Sequence, residues 1–221
     1  MEKVGLNESF CIEREEFFQR TGLDLPFDYS QVISPRQMNK VSRMIVMEKS
    51  ELEVLMRSIP LVEDHSAMPY DGVEIQYCDI DPKRLHVPQT FLLDSKLLFF
   101  LNGFGKFYER FCCNPLSKLQ PHYFTGQDNR GVPSLAIYLP PIIERRERED
   151  LLIDGNHRSC ICGRAGTTIT SIVARNPVVD PPYTGIPWHT NIVSIKPPLA
   201  ERYVNFNPAL LKDFNYVGID G

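Results

Sequence analysis

The sequence predicts an α+β fold, and two observations carry this prediction. Residues Val73 to Ile80 alternate in polarity as a half-buried strand does. From Ser134 to Ala174 the chain gives two short apolar strands joined by a charged turn, then a polar loop, a short helix and a β-branched strand. This order places a polar loop directly before the first turn of a helix.

Composition and charge limit the class of protein. The 221 residues suffice for one large domain with extensions, and 43% hydrophobic with 24% charged residues is ordinary for a folded protein. The net charge of −4 argues against binding nucleic acid through bulk positive charge, although it does not exclude a local basic groove. The apolar stretches are too short to span a bilayer and Met1-Glu2-Lys3 lacks a signal peptide's apolar core, so we expect a cytoplasmic protein with no membrane partner.

The six cysteines are too few for a disulfide scaffold in a chain of this length, and we expect reduced thiols. Cys160 and Cys162 form a C-x-C pair and Cys112 lies beside Cys113, but there is no C-x-x-C pair. Residues two apart on a helix point about 200° from each other, so the C-x-C pair is poorly placed to share zinc. We therefore interpret the cysteines as small buried hydrophobic residues and predict no metal site.

Breaks in composition divide the chain into three predicted segments. Residues 1–70 form an N-terminal helical extension, because mixed charges with recurrent apolar positions end there in a turn-rich stretch. Residues 71–176 form the main domain, with an insertion at about 94–131. Prolines then multiply, so residues 177–221 are expected to wrap over the domain in extended pieces.

Two longer helices are predicted before the polar loop. Residues 35–57 have the helical spacing of a packing helix. A second helix begins at Asp94 or Ser95 and runs to about Cys113. Residues 115–133 are predicted to be a long connection, a length typical of functional or mobile loops. The second helix carries phenylalanines at helical spacing that predict a core face, with a base-stacking platform as the alternative: Phe99, Phe100, Phe104, Phe107 and Phe111.

The strongest local signals form a predicted hairpin. Residues 135–143 are an apolar strand, 144–150 a charged turn and 151–153 a second short strand. Such a mixed charge run favours a solvated hairpin tip over a DNA-binding patch. The turn holds three positive and four negative side chains, in the order Glu144-Arg145-Arg146-Glu147-Arg148-Glu149-Asp150.

The polar loop after the hairpin, Asp154-Gly155-Asn156-His157-Arg158, is the predicted functional site. A glycine between a strand and a helix lets a ligand approach the main chain, and the helix offers free N–H groups and a positive dipole end to an anion. We predict that Gly155, Asn156, His157 and Arg158 bind a phosphate. Arg158 would supply a bidentate charged fork and His157 a titratable donor. Asp154 is expected to order the loop, orient its neighbours or contact a metal carried by the phosphates.

A structural role for the same residues is the alternative. Asp154 would then cap the helix, His157 would pack in the interior and Arg158 would lie on the surface. A glycine motif of four or five residues is a weak signal by itself, so the residues alone weigh the two interpretations about equally.

The wider stretch around this loop resembles the ParB/sulfiredoxin superfamily over roughly residues 73–176, and the resemblance implies that family's fold there, a small mixed sheet with packed helices. The resemblance says nothing about either end of the chain. The matching stretches are Pro140-Pro141-Ile142-Ile143, Leu151 to Arg158, Arg164-Ala165-Gly166 and Ile169 to Arg175, with Ile80-Asp81-Pro82 and Val87-Pro88-Gln89 upstream.

The resemblance implies that Gly155, Asn156, His157 and Arg158 hold nucleotide phosphates. Sulfiredoxins carry a catalytic cysteine immediately before the histidine, where this chain has Asn156, so sulfinic-acid reduction is not expected. Partition-type ParB proteins have Glu-Arg-Arg after the glycine and a helix-turn-helix domain next, which this chain lacks. The motif is more similar to the branch that includes a nucleotide-dependent free-serine kinase and proteins labelled ParB-like nucleases.

Three functions compete at this point. The first is a nucleotide-binding phosphotransferase (kinase) or hydrolase that takes ATP, ADP or CTP, with Mg²⁺ held mainly by the phosphates and a small-molecule substrate. Its catalytic candidates are Asp154, His157 and Asp81, and Asp79 and Asp94 are further candidates for the general base. The second is a DNA-binding protein or ParB-like nuclease, which the acidic balance makes less favourable. The third is a non-catalytic interaction module.

Overall fold

The computed structural model describes residues 10–98, 100–102, 115–147, 149–195 and 202–220. It is a mixed α+β protein, which confirms the predicted class at that level. The chain divides into two compact units. The first comprises Met1–Ile59, Pro121–Tyr138 and Asp213–Gly221, and the second comprises Pro60–Gln120 and Leu139–Lys212. The three segments that the sequence suggested stay a prediction.

The elements are numbered here in chain order. The helices are α1 Arg14–Thr21, α2 Lys49–Arg57, α3 with described residues 94–98 and 100–102, and α4 Asn156–Arg164. The strands are β1 Cys11–Glu13, β2 Gln31–Ile33, β3 Met38–Val46, β4 Glu74–Ile80, β5 His86–Val87, β6 Phe91–Leu93, β7 His122–Asp128, β8 Pro133–Tyr138, β9 Ile142–Arg145, β10 Asp150–Asp154, β11 Ile169–Arg175, β12 Ile186–Pro187 and β13 Ile192–Ser194.

The first unit contains a five-stranded sheet in the order β1-β2-β8-β7-β3. The helix predicted over residues 35–57 is wrong for its first half, because β3 pairs antiparallel with β7 from Met38 to Val46. After a single 3-10 turn at Pro35–Gln37, the one α-helix described in that stretch is α2, which begins with a capping box between Glu48 and Glu51. The connection predicted over residues 115–133 is wrong for the same reason, since it contains β7. Pairing with a distant strand outweighs the local signal in both places, which was helical spacing in the first and a loop-like composition in the second.

The second unit is built on a six-stranded sheet in the order β12-β5-β10-β9-β11-β4. The predicted strand over Val73 to Ile80 is confirmed as β4, and the predicted hairpin is confirmed as the antiparallel pair β9 and β10. The strand predicted over residues 135–143 is in fact two strands, β8 and β9. Pro140 and Pro141 lie between them, and proline has no N–H to donate to a strand ladder.

The core of the second unit lies on the central strands. Ile143, Leu152 and Val173, on β9, β10 and β11, have no exposed surface, and they pack with Leu85 and Val87. Helix α3 begins at residue 94 as predicted, while its predicted end at Cys113 lies outside the described residues. Phe100 is half-buried. The predictions for Phe99, Phe104, Phe107 and Phe111 fall outside the described residues.

The charged turn of the hairpin is only partly the solvated tip that the sequence predicted. Glu144 is fully buried, with its carboxylate 2.6 Å from Arg146 Nη2 and 3.1 Å from Lys212 Nζ. Burial lowers the pKa of Lys212, and the Glu144 carboxylate opposes that shift. A buried charge needs a partner of opposite sign, so these pairs fix the start of the turn and the Lys212 segment inside the second unit.

Candidate functional site

The backbone reaches the Asp154-to-Arg158 motif through an irregularity in β10. The pairing with β9 shifts register between Leu152 and Asp154, which leaves Ile153 as an extra residue. The Tyr183 hydroxyl lies 3.2 Å from the Leu152 carbonyl oxygen and 3.3 Å from that of Ile153, and it donates to them. The bulge and this tyrosine together set the direction in which the chain enters α4.

Gly155 is required at the N-cap of α4 by both its conformation and its surroundings. Its φ of 92° lies in the left-handed region, which other residues adopt with strain. A Cβ added there would lie 2.8 Å from the backbone Cα of Pro141. The Gly155 carbonyl accepts the first helical hydrogen bond from Ser159 N at 2.9 Å. No side chain caps this end of the helix among the residues that the structure describes.

Arg158 is buried, in contrast to the alternative that placed it on the surface. Its guanidinium pairs with Asp154 at 2.7 Å, and the side chains are 7% and 16% exposed. The other terminal nitrogen donates to the Leu139 carbonyl oxygen, and the Phe100 ring centre lies 5.8 Å from the guanidinium carbon. A ligand phosphate would have to share Arg158 with these protein groups.

His157 and Asp154 take roles inside the fold. His157 is 8% exposed, and its Nε2 accepts a hydrogen bond from the Leu93 backbone N–H at 3.0 Å. An accepting Nε2 requires the tautomer that carries its proton on Nδ1. Asp154 binds Arg158 and does not cap the helix, since Gly155 occupies the cap position.

Asn156 and Ser159 differ from their neighbours because their buried polar atoms have no partner. Asn156 is 4% exposed and Ser159 is 2% exposed. Within the described part of the chain, Asn156 Nδ2, Asn156 Oδ1 and Ser159 Oγ make no hydrogen bond. Residues three apart on a helix are neighbours, so these atoms belong to one face of the first turn of α4. A buried polar group without a partner carries a desolvation penalty of about 1–3 kcal/mol.

The three aspartates considered as general bases lie in different places. Asp81 caps the turn Pro82–Arg84 by accepting from Lys83 N at 3.0 Å. A Cβ at Gly163 would lie 3.3 Å from Pro82, so this turn packs at the far end of α4, roughly 12 Å along the helix from Gly155. The structure therefore does not bring Asp81 together with Asp154.

Asp79 is engaged elsewhere, whereas Asp94 follows a residue that contacts the motif. Hydrogen bonds from Lys118 Nζ at 2.5 Å and Thr170 Oγ1 at 2.8 Å lower the pKa of Asp79. Asp94 comes directly after Leu93, whose N–H binds His157. Of the three, Asp94 is the one whose neighbour in the chain hydrogen-bonds to the motif.

An aromatic stack adjoins the motif, and the sequence analysis missed it. The Tyr203 ring lies 5.4 Å from Tyr183 at an angle of 6° and 4.9 Å from Phe206 at 25°. Burial raises the pKa of Tyr203, the Arg202 guanidinium opposes this rise and the Asp154 carboxylate adds to it. Phe206 is 36% exposed. Tyr183 and Tyr203 lie about 30 and 50 positions after Asp154, so no local spacing could have linked them to it.

The cysteines of α4 lie in the interior. Burial raises the pKa of both the Cys160 and the Cys162 thiol. Cys160 packs with Leu92 and Leu97. Raised pKa values keep both groups as neutral thiols, which are poor nucleophiles. Cys112 and Cys113 lie outside the described residues.

The described residues contain neither a cluster of metal-binding side chains nor a membrane-spanning helix. None of them form a group of three or more His, Cys, Asp or Glu side chains placed to hold a metal. Among them, no helix has the length and the apolar character to cross a membrane.

Comparisons with known proteins found no match to this chain. No family model, no curated protein and no solved structure matches it. The likeness to the ParB/sulfiredoxin superfamily therefore rests on the motif residues.

Proposed function

We propose that this protein is a nucleotide-binding enzyme of ParB/sulfiredoxin-like fold, a phosphotransferase or a nucleotide hydrolase that works in the cytoplasm. Its ligand is ATP, ADP or CTP, and a small molecule is the second substrate. The phosphates bind at the Asp154-to-Arg158 motif, where α4 begins. DNA binding or ParB-like nuclease activity is the alternative, and a non-catalytic interaction module is the third possibility.

The observation that carries this proposal is the buried Asn156 amide, which has no partner among the described residues and lies at the first turn of a nine-residue helix. A helix N-terminus alone attracts anions through its free N–H groups and its dipole. Interior polar groups normally have partners, so an unmatched amide beside those N–H groups supports a ligand that supplies the missing hydrogen bonds. Gly155 contributes through its left-handed φ of 92°, which lets the chain turn from β10 directly into the first turn of α4.

The motif suits a reaction that depends on position and charge more than on covalent chemistry. Phosphoryl transfer needs oriented donors around the phosphate oxygens, which Asn156 and the α4 N–H groups supply. Asp154 is a single carboxylate already bound to Arg158, so the donor set fits Mg²⁺ only where ligand phosphates provide most of its oxygens. Bound in that way, Mg²⁺ would neutralise phosphate charge. We assign the general base to Asp94, which adjoins the motif through Leu93.

The aromatic stack supports a nucleotide over a simple phosphate. Tyr183, Tyr203 and Phe206 lie on the side of the motif where Asp154 influences both tyrosine hydroxyls. Base–aromatic stacking contributes about 1–3 kcal/mol per base. The exposed part of Phe206 gives a base a surface to stack on.

Ion pairing at the hairpin disfavours the DNA-binding alternative. Arg145 makes two bonds of 2.7 Å to Asp150, and Arg146 is bound to buried Glu144. Phosphate-backbone binding draws on arginines whose charge is available to the polymer. These two arginines already have carboxylate partners.

The proposal is tested by titrating ATP, ADP and CTP, with and without Mg²⁺, into the full chain and measuring heat and thermal stabilisation. Duplex and single-stranded DNA are titrated in parallel over a salt series. We expect saturable nucleotide binding that raises the Tm. Asn156→Ala should weaken it by roughly tenfold, whereas Ser95→Ala, which removes an exposed hydroxyl from the first turn of α3, should not.

Turnover is measured as release of ADP or inorganic phosphate, with Asp94→Asn compared with Asp81→Asn. The base assignment requires Asp94→Asn to be the slower variant. Strong DNA binding with a steep salt dependence and no response to nucleotides would overturn the proposal in favour of the DNA-binding alternative.

A further inference from the structure

The three unpartnered atoms on the first turn of α4 carry information about which group binds there. Asn156 Nδ2 can only donate, Asn156 Oδ1 can only accept, and Ser159 Oγ can do both. Neither amide atom of Asn156 has a partner among the residues that the structure describes. The same donor and acceptor requirements therefore hold if the amide is turned by 180°. A ligand that satisfies the whole face must therefore bring at least one hydrogen as well as acceptor oxygens.

An anion without a hydrogen does not meet these needs. Sulfate oxygens would accept from Nδ2 and from the Ser159 hydroxyl, but they would leave Oδ1 facing a lone pair. A phosphodiester has the same defect. A sugar hydroxyl supplies the hydrogen but no negative charge for the positive end of the helix dipole. A terminal phosphate that retains one P–OH supplies both, and the second pKa of a phosphomonoester is about 6.

The surrounding charges favour the protonated form of such a phosphate. Asp154 precedes the cap residue, and its carboxylate opposes a second negative charge on the ligand. Arg158 is paired with that carboxylate at 2.7 Å and so adds little net positive charge. Other charged or titratable groups near this end are His157, Tyr183, Tyr203 and Arg202. The two tyrosines stay neutral because burial raises their pKa, and Arg202 adds one positive charge beside the Tyr203 ring.

Charged groups on the other elements that pack against α4 lie further from the first turn. Lys83 and Arg84 belong to the turn that packs at Gly163, at the opposite end of the helix. Asp94 follows β6 and carries a negative charge, which again opposes a dianion. The balance of charge is therefore not strongly positive at Asn156.

We propose that Asn156 and Ser159 form a receptor for a terminal phosphate carrying one P–OH, and that they discriminate it from sulfate and from phosphodiesters. This inference rests on the proposed phosphate site and deepens it by naming the phosphate group that is recognised. Nδ2 and the Ser159 hydroxyl donate to the anionic oxygens, and Oδ1 accepts from the P–OH. The discrimination lies in one hydrogen bond that only the protonated ligand makes.

The test uses calorimetric titration of the full chain. Inorganic phosphate is compared with sulfate at neutral pH, and AMP is compared with its 3′,5′-cyclic diester at about pH 5, below the second pKa of a phosphomonoester, where AMP keeps one P–OH. Inorganic phosphate keeps at least one P–OH at neutral pH and sulfate keeps none, while the two ions have similar size and shape. The AMP pair shares the same base. We expect phosphate and AMP to bind at least roughly tenfold more tightly than sulfate and cyclic AMP.

Variants locate the discrimination. In Asn156→Ala the preference for phosphate over sulfate should fall to within about twofold, and Ser159→Ala should weaken phosphate binding while keeping part of the preference. Ser95→Ala should behave as the unmodified chain. Circular dichroism of each variant establishes that it is folded before it is titrated.

Two results would overturn the inference. Equal affinities of the unmodified chain for phosphate and sulfate would show that the P–OH is not recognised, and saturable ATP binding in the same samples would leave the proposed function intact. Absence of binding by phosphate, AMP and ATP alike would overturn both proposals and leave the three atoms to internal water.

Discussion

Each of the two units contains a buried polar cluster, and the two clusters differ in how completely they are satisfied. In the first unit, Gln31 Nε2 donates to Asp128 at 3.1 Å and to Ser134 at 2.9 Å. Asp128 Oδ1 accepts from the backbone N–H groups of Arg130 and Val132 at 2.8 and 2.9 Å. In the second unit, the amide of Asn156 makes no hydrogen bond within the described residues.

This difference separates a structural cluster from a binding site. The Asp128 cluster closes the turn between β7 and β8, and its hydrogen bonds are formed within the first unit. A satisfied network makes a fold rigid and specific, whereas an unsatisfied one lowers stability until something completes it. The motif of the second unit is mixed in this respect, because Arg158 and Asp154 are satisfied and Asn156 and Ser159 are not. Stability and binding should therefore respond to different residues within one motif.

The largest expected effect is on the satisfied part of the motif. Arg158→Ala leaves the Asp154 carboxylate, whose side chain is only 16% exposed, without its partner, which should lower the free energy of unfolding by about 3–5 kcal/mol. Arg158→Lys should recover only part of this loss, since a lysine lacks the planar fork. Urea unfolding of both variants measures the effect. Arg164→Ala, at an exposed position of the same helix, is the control and should change stability by no more than about 0.5 kcal/mol. A small effect of Arg158→Ala would contradict the ion pair.

The direct comparison of the two clusters comes next in size. Gln31→Ala removes both donors to Asp128 and Ser134 and should lower the free energy of unfolding by about 1–3 kcal/mol. Asn156→Ala removes an amide that has no partner in the described part of the chain and replaces it with a better helix former, so it should be neutral or stabilising by up to about 0.7 kcal/mol. Urea unfolding without ligand measures both variants. Equal losses of stability would show that Asn156 is a structural residue like Gln31.

The fold that underlies these effects is only partly predictable from the sequence. Elements with local signals were predicted correctly, including β4, the hairpin of β9 and β10, and α4. Strand β3 was not, because its pairing of Met38 with Asp128 joins residues about 90 positions apart. Helical spacing in residues 35–57 was then the only signal, and tertiary pairing overrode it.

The site shows the same division between local and distant information. The position of Gly155 and the exposed helix end could be inferred from the order of residues alone. The burial of Arg158 could not, because it depends on the Leu139 carbonyl and on Asp154 reaching the same guanidinium. The missing partners of Asn156 and Ser159 are likewise a property of packing, which composition and spacing do not encode.

The aromatic stack should affect ligand binding without changing phosphate recognition. Phe206→Ala should weaken ATP binding by roughly tenfold, because base stacking contributes about 1–3 kcal/mol, and it should leave inorganic phosphate binding unchanged. Phe206→Tyr keeps a ring of similar size and should bind ATP like the unmodified chain. Calorimetric titration with both ligands measures this. Equal weakening of phosphate binding would show that Phe206 acts by holding the Tyr203 segment in place.

The cysteines should contribute to stability only. Cys160→Ala removes a buried sulfur from the contact with Leu92 and Leu97 and should lower the free energy of unfolding by about 1 kcal/mol. Turnover by the folded variant should be unchanged, since burial raises the pKa of this thiol. A chromogenic disulfide reagent at neutral pH should modify Cys160 and Cys162 only on unfolding. Loss of turnover with nucleotide affinity intact would instead indicate thiol chemistry.

The smallest effect at neutral pH concerns Asp128 in the first unit, whose ionisation should change the free energy of unfolding only at acid pH. Burial by itself would raise the pKa of Asp128, but hydrogen bonds from the backbone of Val132 and from Arg130 outweigh it and lower the pKa from 3.8 to about 2. A carboxyl whose pKa is lower in the folded state stabilises the fold above its unfolded value, and that contribution is lost as the pH falls from 3.8 toward about 2. Unfolding free energies measured from about pH 5 to about pH 2 should therefore decline more steeply for the unmodified chain than for Asp128→Asn. Parallel declines would mean that Asp128 titrates normally, and the Asp128 cluster would then not be the fully satisfied network that distinguishes it from Asn156.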